Sequence, residues 1–415
     1  MVPKGWNIIK IEEFAEVKTG GTPSRQNPSY WDGSIPWMAS GEIHQKYIKN
    51  TAEFITEEGL NNSNARWLPE KTVMIALNGQ GKTRGSVGIL QTSVTCNQSL
   101  AGFIVNHQIC HPEYLLFYLD DKYQFLRDLS GDEGRNGLNL KLLREIEVSL
   151  PPLSEQKRIA EILSSVDEAI ASTQAVIDQT RKVKQGLLQQ LLTRGIGHTR
   201  FKESAIGKIP EEWKVVNFAS LAQVGPQNGI YKSKDDYGSG IPMIDMGDIF
   251  SSNIIKECER RCVRLTKGEQ EKFALEFGDL LFARRSLVAE GSGKCSIVGH
   301  HSINPVFESS IIRFRLKSDI SSSLFYFYYW ESPIGMKLRR VITRQVAVSG
   351  ITGKDLEKLP VALPPLNEQI KITSILESLD EQIASNELEI IHLNSVKKGL
   401  MQDLLTGRVR TGVTP

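Results

Sequence analysis

No apolar run in the chain approaches the roughly 18 residues that a membrane-spanning helix needs. The opening, Met1-Val2-Pro3-Lys4-Gly5-Trp6, lacks the plan of a secretory leader. Cysteine is scarce: five residues, an odd number, at spacings that fit no disulfide framework. Reduced thiols and a cytoplasmic location are therefore expected. His107, Cys110 and His111 crowd three soft ligands together without the two-pair spacing of a zinc site, and Cys258 and Cys262 read as separate thiols, so no metal is expected. A charge excess is missing too, with 50 basic against 48 acidic residues, a formal net charge of +2 and a pI near 8.1. A nucleic-acid partner is permitted, but the argument for one must rest on where the basic residues lie. Helix-turn-helix and zinc-finger signatures, an Asn-Pro-Pro-Tyr/Phe methyltransferase motif and a nuclease-like carboxylate–lysine cluster are all missing from the sequence. No catalytic residue is expected.

What is present first resembles a nucleotide-binding loop. The stretch ALNGQGKTRGS, Ala76 to Ser86, contains Gly81-Lys82-Thr83. A phosphate loop has a glycine where this chain has Ala76, and it must open a helix whose N–H groups hold the phosphates. The residues after Ser86 are β-branched and glycine-rich, which predicts strands and a turn. A nucleotide site through Lys82 is thus the weakest of three functional readings.

The chain repeats itself. Leu150-Pro151-Pro152-Leu153-Ser154-Glu155-Gln156 recurs as Leu363-Pro364-Pro365-Leu366-Asn367-Glu368-Gln369, at an offset of 213. At that offset Asp167 falls on Asp380, Lys184 on Lys397, and Leu191-Leu192-Thr193 on Leu404-Leu405-Thr406. Trp6 is echoed by Trp213, and Ile35-Pro36 by Ile241-Pro242. Two copies of this length are an internal duplication with pseudo-two-fold symmetry, not a solenoid.

After each proline pair, apolar residues recur every three or four positions. In the first copy these are Ile159, Ile162, Val166, Ile170, Ile177, Leu187 and Leu191; in the second, Ile372, Ile375, Leu379, Ile383, Ile390, Leu400 and Leu404. Such a run predicts a coiled-coil seam, interrupted by Thr173, Asn386, Lys184 and Lys397. Ser154 and Asn367 are the expected N-caps. Symmetry would set the two helices antiparallel, holding a globular part at each end. The expected domains are a first globular part over 1–150, a spacer helix over 151–200, a second globular part over 201–362 and a distal helix over 363–415. Each globular part reads as α+β, with a bent, mostly antiparallel sheet and one amphipathic helical stretch, Pro112–Leu129 or Ser323–Val341.

The second half answers the glycine loop with Gly291-Ser292-Gly293-Lys294, where Cys295 replaces the hydroxyl residue that would hold Mg²⁺. Glycine lets backbone approach a ligand. Lysine and arginine neutralise phosphates, arginine reads guanine, and Asn or Gln reads adenine. The DNA-contacting candidates are Arg25, Gln26, Asn78, Gln80, Lys82, Arg84, Arg135 and Asn136, then Arg284, Arg285, Lys294, Arg344 and Gln345. The run Leu324 to Trp330 reads as helix core rather than as a stacking platform for bases. A two-armed scaffold without base readout is the competing class. It would have no use for glycine–lysine loops in both halves.

The duplicated proline–glutamate–glutamine helix starts and the Pro-x-x-Trp openings resemble the specificity subunits of type I restriction–modification systems. The resemblance implies two target recognition domains reading the halves of a bipartite double-stranded DNA target. It further implies helices that space these domains and dock two methyltransferase subunits, with restriction subunits joining. S-adenosylmethionine and ATP with Mg²⁺ would belong to those partners, and this chain would hold no cofactor.

Overall fold

The computed structural model describes residues 3–79, 81–129, 137–288, 291–344 and 349–411. The chain forms two compact units, Met1–Ala175 with Leu388–Pro415, and Val176–Glu387.

In the first unit, Val73–Ala76 is buried at every position, so it reads as a continuous apolar run and not as an alternation. Its side chains still divide by the period of two. Val73 and Ile75 enter one core with Tyr114, Leu115 and Phe117. Met74 and Ala76 enter a second core with Ile43, Leu90 and Leu100. This strand is the centre of a five-stranded sheet ordered Ala15–Thr19, Leu100–Val105, Val73–Ala76, Val87–Leu90, Tyr47–Ile48. All pairs are antiparallel except the last. A three-stranded sheet, Glu53–Ile55, Trp31–Met38, Thr95–Cys96, stands beside it. Asn7–Lys10 pairs with Glu147–Leu150 and closes the globular part.

The second unit repeats these three sheets and adds two short strand pairs, Phe201–Lys202 with Ile209–Pro210 and Arg285–Ser286 with Ser349–Gly350. Its sheet runs Ala222–Asn228, Ile311–Leu316, Leu280–Ala283, Cys295–Val298, Ile254–Ile255, and its three-stranded sheet runs Cys262–Val263, Tyr237–Ile244, Val306–Phe307. The parallel pairs fall in the same places. Leu280 and Phe282 face one core, Leu281 and Ala283 the other.

The helical stretches differ from the expectation. Each is two helices, Pro112–Asp121 and Tyr123–Asp128 in the first unit, Ser323–Glu331 and Pro333–Ile342 in the second. In the second unit Ser332 caps the new helix by accepting from the Gly335 amide, and Pro333 occupies its first turn. Nor is Ser323–Glu331 amphipathic, since Phe325 to Trp330 are all buried. Trp330 meets Phe218 edge-on at 5.0 Å, and Phe218 stacks on Phe314 at 4.0 Å. These rings are consumed by the core.

The long helices span Leu153–Arg194 and Leu366–Leu404. Ser154 and Asn367 lie inside the first turn and are not its caps. The carbonyl of Pro152 accepts from the amides of Glu155 and Gln156, and Pro365 does the same for Glu368 and Gln369. A proline suits this place because it needs no donor there. A glycine in the left-handed region follows each helix, Gly195 at φ 66° directly after Arg194 and Gly407 at φ 69° three residues after Leu404.

In the first unit Ile159 and Leu163 share a core with Met401, Leu404 and Leu405. Asp167 meets Lys397 at 2.5 Å, and Glu155 meets Arg410 at 2.7 Å, so the segments run antiparallel. In the second unit Leu191 and Leu192 join Ile372 and Leu376, Lys184 pairs with Asp380, and Arg181 lies 2.5 Å from Glu387. The seam lysines are thus ion-paired to the duplicated aspartates. Of the predicted seam, Ile159, Ile177, Leu191, Ile372 and Leu404 are buried. Ile162, Val166, Ile170, Leu187, Leu379, Ile383, Ile390 and Leu400 are half-buried. Ile375 is 38% exposed while its neighbour Leu376 is fully buried, because at that end the helix turns its apolar face to its own globular part.

Candidate nucleic-acid interface

The glutamate and glutamine of the repeated motif fasten each helix to its globular part. Trp6 Nε1 donates to Glu155 at 3.3 Å, and Trp213 Nε1 donates to Glu368 at 2.9 Å. Gln156 accepts from the His111 amide and donates to the carbonyls of Ile109 and Pro151. Gln369 accepts from the Ser322 amide and donates to those of Ile320 and Pro364. Both glutamines are buried, and every amide atom is engaged in the same pattern. The segment so pinned leads directly into the helix beneath the sheet.

The two glycine–lysine loops occupy one topological position. Residues 77–86 join Val73–Ala76 to Val87–Leu90; residues 284–294 join Leu280–Ala283 to Cys295–Val298. Each connects neighbouring antiparallel strands. Strand follows the lysine in both, so the helix amides that a phosphate loop requires are not placed here.

An arginine that sequence reasoning passed over holds each loop. Arg127 donates to the Gly81 carbonyl at 2.7 Å, and Arg339 donates to the Gly293 carbonyl at 2.8 Å. Arginine and glycine are each displaced by 212 residues between the copies, which is the signal that would have found the pair. Gly81 (φ 63°) and Gly293 (φ 75°) both lie in the left-handed region, where a side chain would strain the turn. Loop shape is therefore duplicated along with the lysine that follows.

Around this frame the candidate residues fall into groups. Lys82 is exposed at the tip of the first loop, with Asn78 exposed and Arg84 half-buried beside it. The Thr83 hydroxyl lies 3.1 Å from His44 Nε2. In the second loop Arg285 is exposed, and Arg284 is half-buried with its guanidinium 3.4 Å from the Ser309 carbonyl. Lys294 Nζ donates to the Phe250 carbonyl at 3.0 Å. Arg344 bridges by backbone to Gly350, whose strand segment pairs with Arg285–Ser286, so Arg344 belongs with this loop. Its guanidinium is 3.2 Å from Asp355.

Arg25 is elsewhere. Its guanidinium lies 3.6 Å over the Trp31 ring and is bidentate to Glu53. The Arg25 hydrogen bond holds the Glu53 carboxyl below the usual carboxylate range. Gln26 is exposed next to it. Gln80, Arg135, Asn136 and Gln345 lie outside the described residues. His107, Cys110 and His111 do not form a metal-ligand cluster, and none is found among the described residues. Among the described residues no helix is long and apolar enough to cross a membrane.

The family described as the type I restriction modification DNA specificity domain matches residues 3–180 and 210–395, one stretch in each copy. The chain is 25% identical over 411 residues to the type I restriction enzyme MjaVIII specificity subunit of Methanocaldococcus jannaschii, covering 99% of this chain and 94% of that one. It is 21% identical over 430 residues to the EcoKI specificity subunit of Escherichia coli K12, covering 100% and 90%. Among solved structures, the S subunit of a type I restriction–modification system from M. genitalium superposes with a TM-score of 0.58 at 14% identity, over 97% of this chain and 99% of that one. A chain from a structure of type I R-M complex assembly and conformational transition gives 0.60 at 17%, over 99% and 100%. Those superpositions show the shared fold, and the family match spans both copies: the chain belongs to the type I restriction–modification DNA specificity family.

Proposed function

We propose that this chain is the DNA-reading subunit of a type I restriction–modification assembly. Each unit reads one half of a bipartite duplex target through its glycine–lysine loop. The observation that carries this reading is the duplicated hairpin, with its left-handed glycine held by Arg127 or Arg339 and a basic residue placed next in the chain. Phosphate contacts by Lys82 and Lys294 would set position, and base contacts by Arg284, Arg285, Asn78 or Arg84 would specify sequence. The long helices dock two methyltransferase subunits, because the helical segments match between copies while the loops diverge. Methyl transfer from S-adenosylmethionine and ATP–Mg²⁺-driven cleavage reside on methyltransferase and restriction partners. Mapping methylated adenines in host DNA with and without this gene tests the reading. Two half-sites separated by a fixed gap, lost with the gene, are expected. An unchanged methylation pattern refutes it.

A further inference from the structure

A cavity of about 240 Å³ lies in the second unit between the glycine–lysine loop and helix Pro333–Ile342, lined by Ser292, Lys294, Glu331, Met336, Arg339, Arg340 and Thr343. Two of its polar side chains are almost wholly buried, Ser292 at 3% and Arg339 at 6% exposure. Ser292 Oγ and Arg339 Nε are nonetheless buried without a hydrogen-bond partner. Unpaired buried donors are costly, and protein interiors seldom leave them so. Arg339 has already spent other nitrogens on the Gly293 carbonyl and on Glu331, 3.6 Å away. What remains is these two donors and Glu331 Oε1, which is also buried without a hydrogen-bond partner, in a lining whose charges are three cations, Lys294, Arg339 and Arg340, against one carboxylate. That set suits an anion of single or double charge and not a metal ion.

We infer that this cavity binds a phosphate group of the DNA backbone and seats the duplex on the second unit. The inference rests on the DNA-reading function proposed above. Arg340 and Met336 are exposed, so the cavity opens to solvent where a strand could pass. At the offset of 212 that relates the two arginine-held loops, Arg340 falls on Asp128 and Glu331 on Leu119. The first unit thus has an exposed carboxylate where the second has a cation. The site belongs to one unit only, and the two units hold the backbone differently while sharing a loop.

The test uses the full chain assembled with its methyltransferase subunits, bound to duplex DNA carrying the mapped target, across a KCl series. Arg340→Ala, an exposed helical substitution, should weaken binding roughly threefold to tenfold and lower the slope of log K against log salt by about one. Cognate and non-cognate duplexes should lose equally, because phosphate contacts carry no sequence. Ser292→Ala should weaken binding without changing the slope. An unchanged slope in Arg340→Ala overturns the inference. So does broadening of the ³¹P signal of inorganic phosphate by the wild-type chain, lost in Arg340→Ala, without a DNA effect; that marks a site for a free anion. If neither ligand responds, the cavity holds water only, and the inference fails. A wild-type assembly that prefers no duplex over another would instead remove the DNA-reading function, before any variant is made.

Discussion

The two units share their strand order and parallel edge pairs, a glutamine pinned by three hydrogen bonds, a tryptophan on a glutamate, and an arginine under a glycine loop. They differ in what the frame carries. Beside the shared lysine, Lys82 or Lys294, the first loop offers Arg84 and the second Arg284 and Arg285. Beneath the sheets, Leu115 to Leu119 is replaced by the aromatic run Phe325 to Trp330. The lesson is that backbone geometry and its fastenings are what the duplication kept, while residues at the loop tips were free to change. That is the pattern expected where one scaffold must read two different sequences.

The largest effect should come from lengthening one long helix. Four residues inserted near Gln179 add about one turn, roughly 6 Å. If helix length sets the gap, methylation mapping should show unchanged half-sites with a gap longer by one or two base pairs, since one base pair rises about 3.4 Å. An active variant that keeps the original gap would show that something else sets the spacing.

Next in size are the fastenings. Gln156→Ala and Gln369→Ala each leave one buried carbonyl, one part-buried carbonyl and one part-buried amide without their partner, so each should cost about 2 kcal/mol in denaturant unfolding. Similar losses are expected because the partners are equivalent. A loss confined to one unit would mean that the likeness is geometric and not energetic.

The loops should then separate the units by sequence. Arg285→Ala should relax only the half-site read by the second unit, by about 1–3 kcal/mol if its contact is bidentate to guanine. Lys82→Ala should weaken binding to all duplexes and lower the salt slope by about one. Arg25→Ala should leave both half-sites intact, because that guanidinium is already committed to Glu53 and Trp31. Equal effects of Arg285→Ala on both half-sites would break the assignment of one loop to one half.

The smallest difference concerns the ion pairs. Both aspartates accept from a tyrosine hydroxyl, Asp167 from Tyr47 and Asp380 from Tyr328, but Asp167 is 11% exposed and meets two lysines, Lys46 and Lys397, whereas Asp380 meets Lys184 and is 42% exposed. Lys397→Ala should cost about 2 kcal/mol and Lys184→Ala less than about 1. Burial alone would raise the Asp167 carboxyl, but Lys46 and Lys397 outweigh it and hold it below the usual range. A depressed carboxylate contributes stability above the ordinary pKa, near 4, and loses it as pH falls through the folded value. Asp167→Asn should therefore flatten the acid limb of the first unit's stability curve. An unchanged limb would assign the acid sensitivity to other groups.

Repetition, the proline-led helix starts and the α+β class were legible because each is a local rule: proline lacks a donor, apolar residues recur with the helix period, and strand runs are bounded by turn residues. The rejection of a phosphate loop was also local, resting on the β-branched residues after Ser86. The ion pairs between seam lysines and aspartates could not be read, although all four residues stood at the repeat offset. Which helical segments meet is settled by packing, which brings Lys397 onto Asp167 across a separation of 230 residues. Helix starts were misplaced by a residue or two because Glu155 and Gln156 are spent on tertiary partners and the Pro152 carbonyl opens the turn. The aromatic run was legible as helix core, but the stretch Ser323–Val341 that contains it read as one amphipathic helix, and the structure divides it at Ser332 and buries Phe325 to Trp330 on every side. The candidate site divided the same way. Lys82, Arg284, Arg285 and Lys294 were visible as basic residues in glycine loops. Arg127 and Arg339 were hidden in helices, and their role exists only because folding carries a guanidinium to a glycine carbonyl more than 40 residues back along the chain. Local chemistry chose the elements of this protein, and the pairing of polar groups distant in sequence decided how those elements hold its loops.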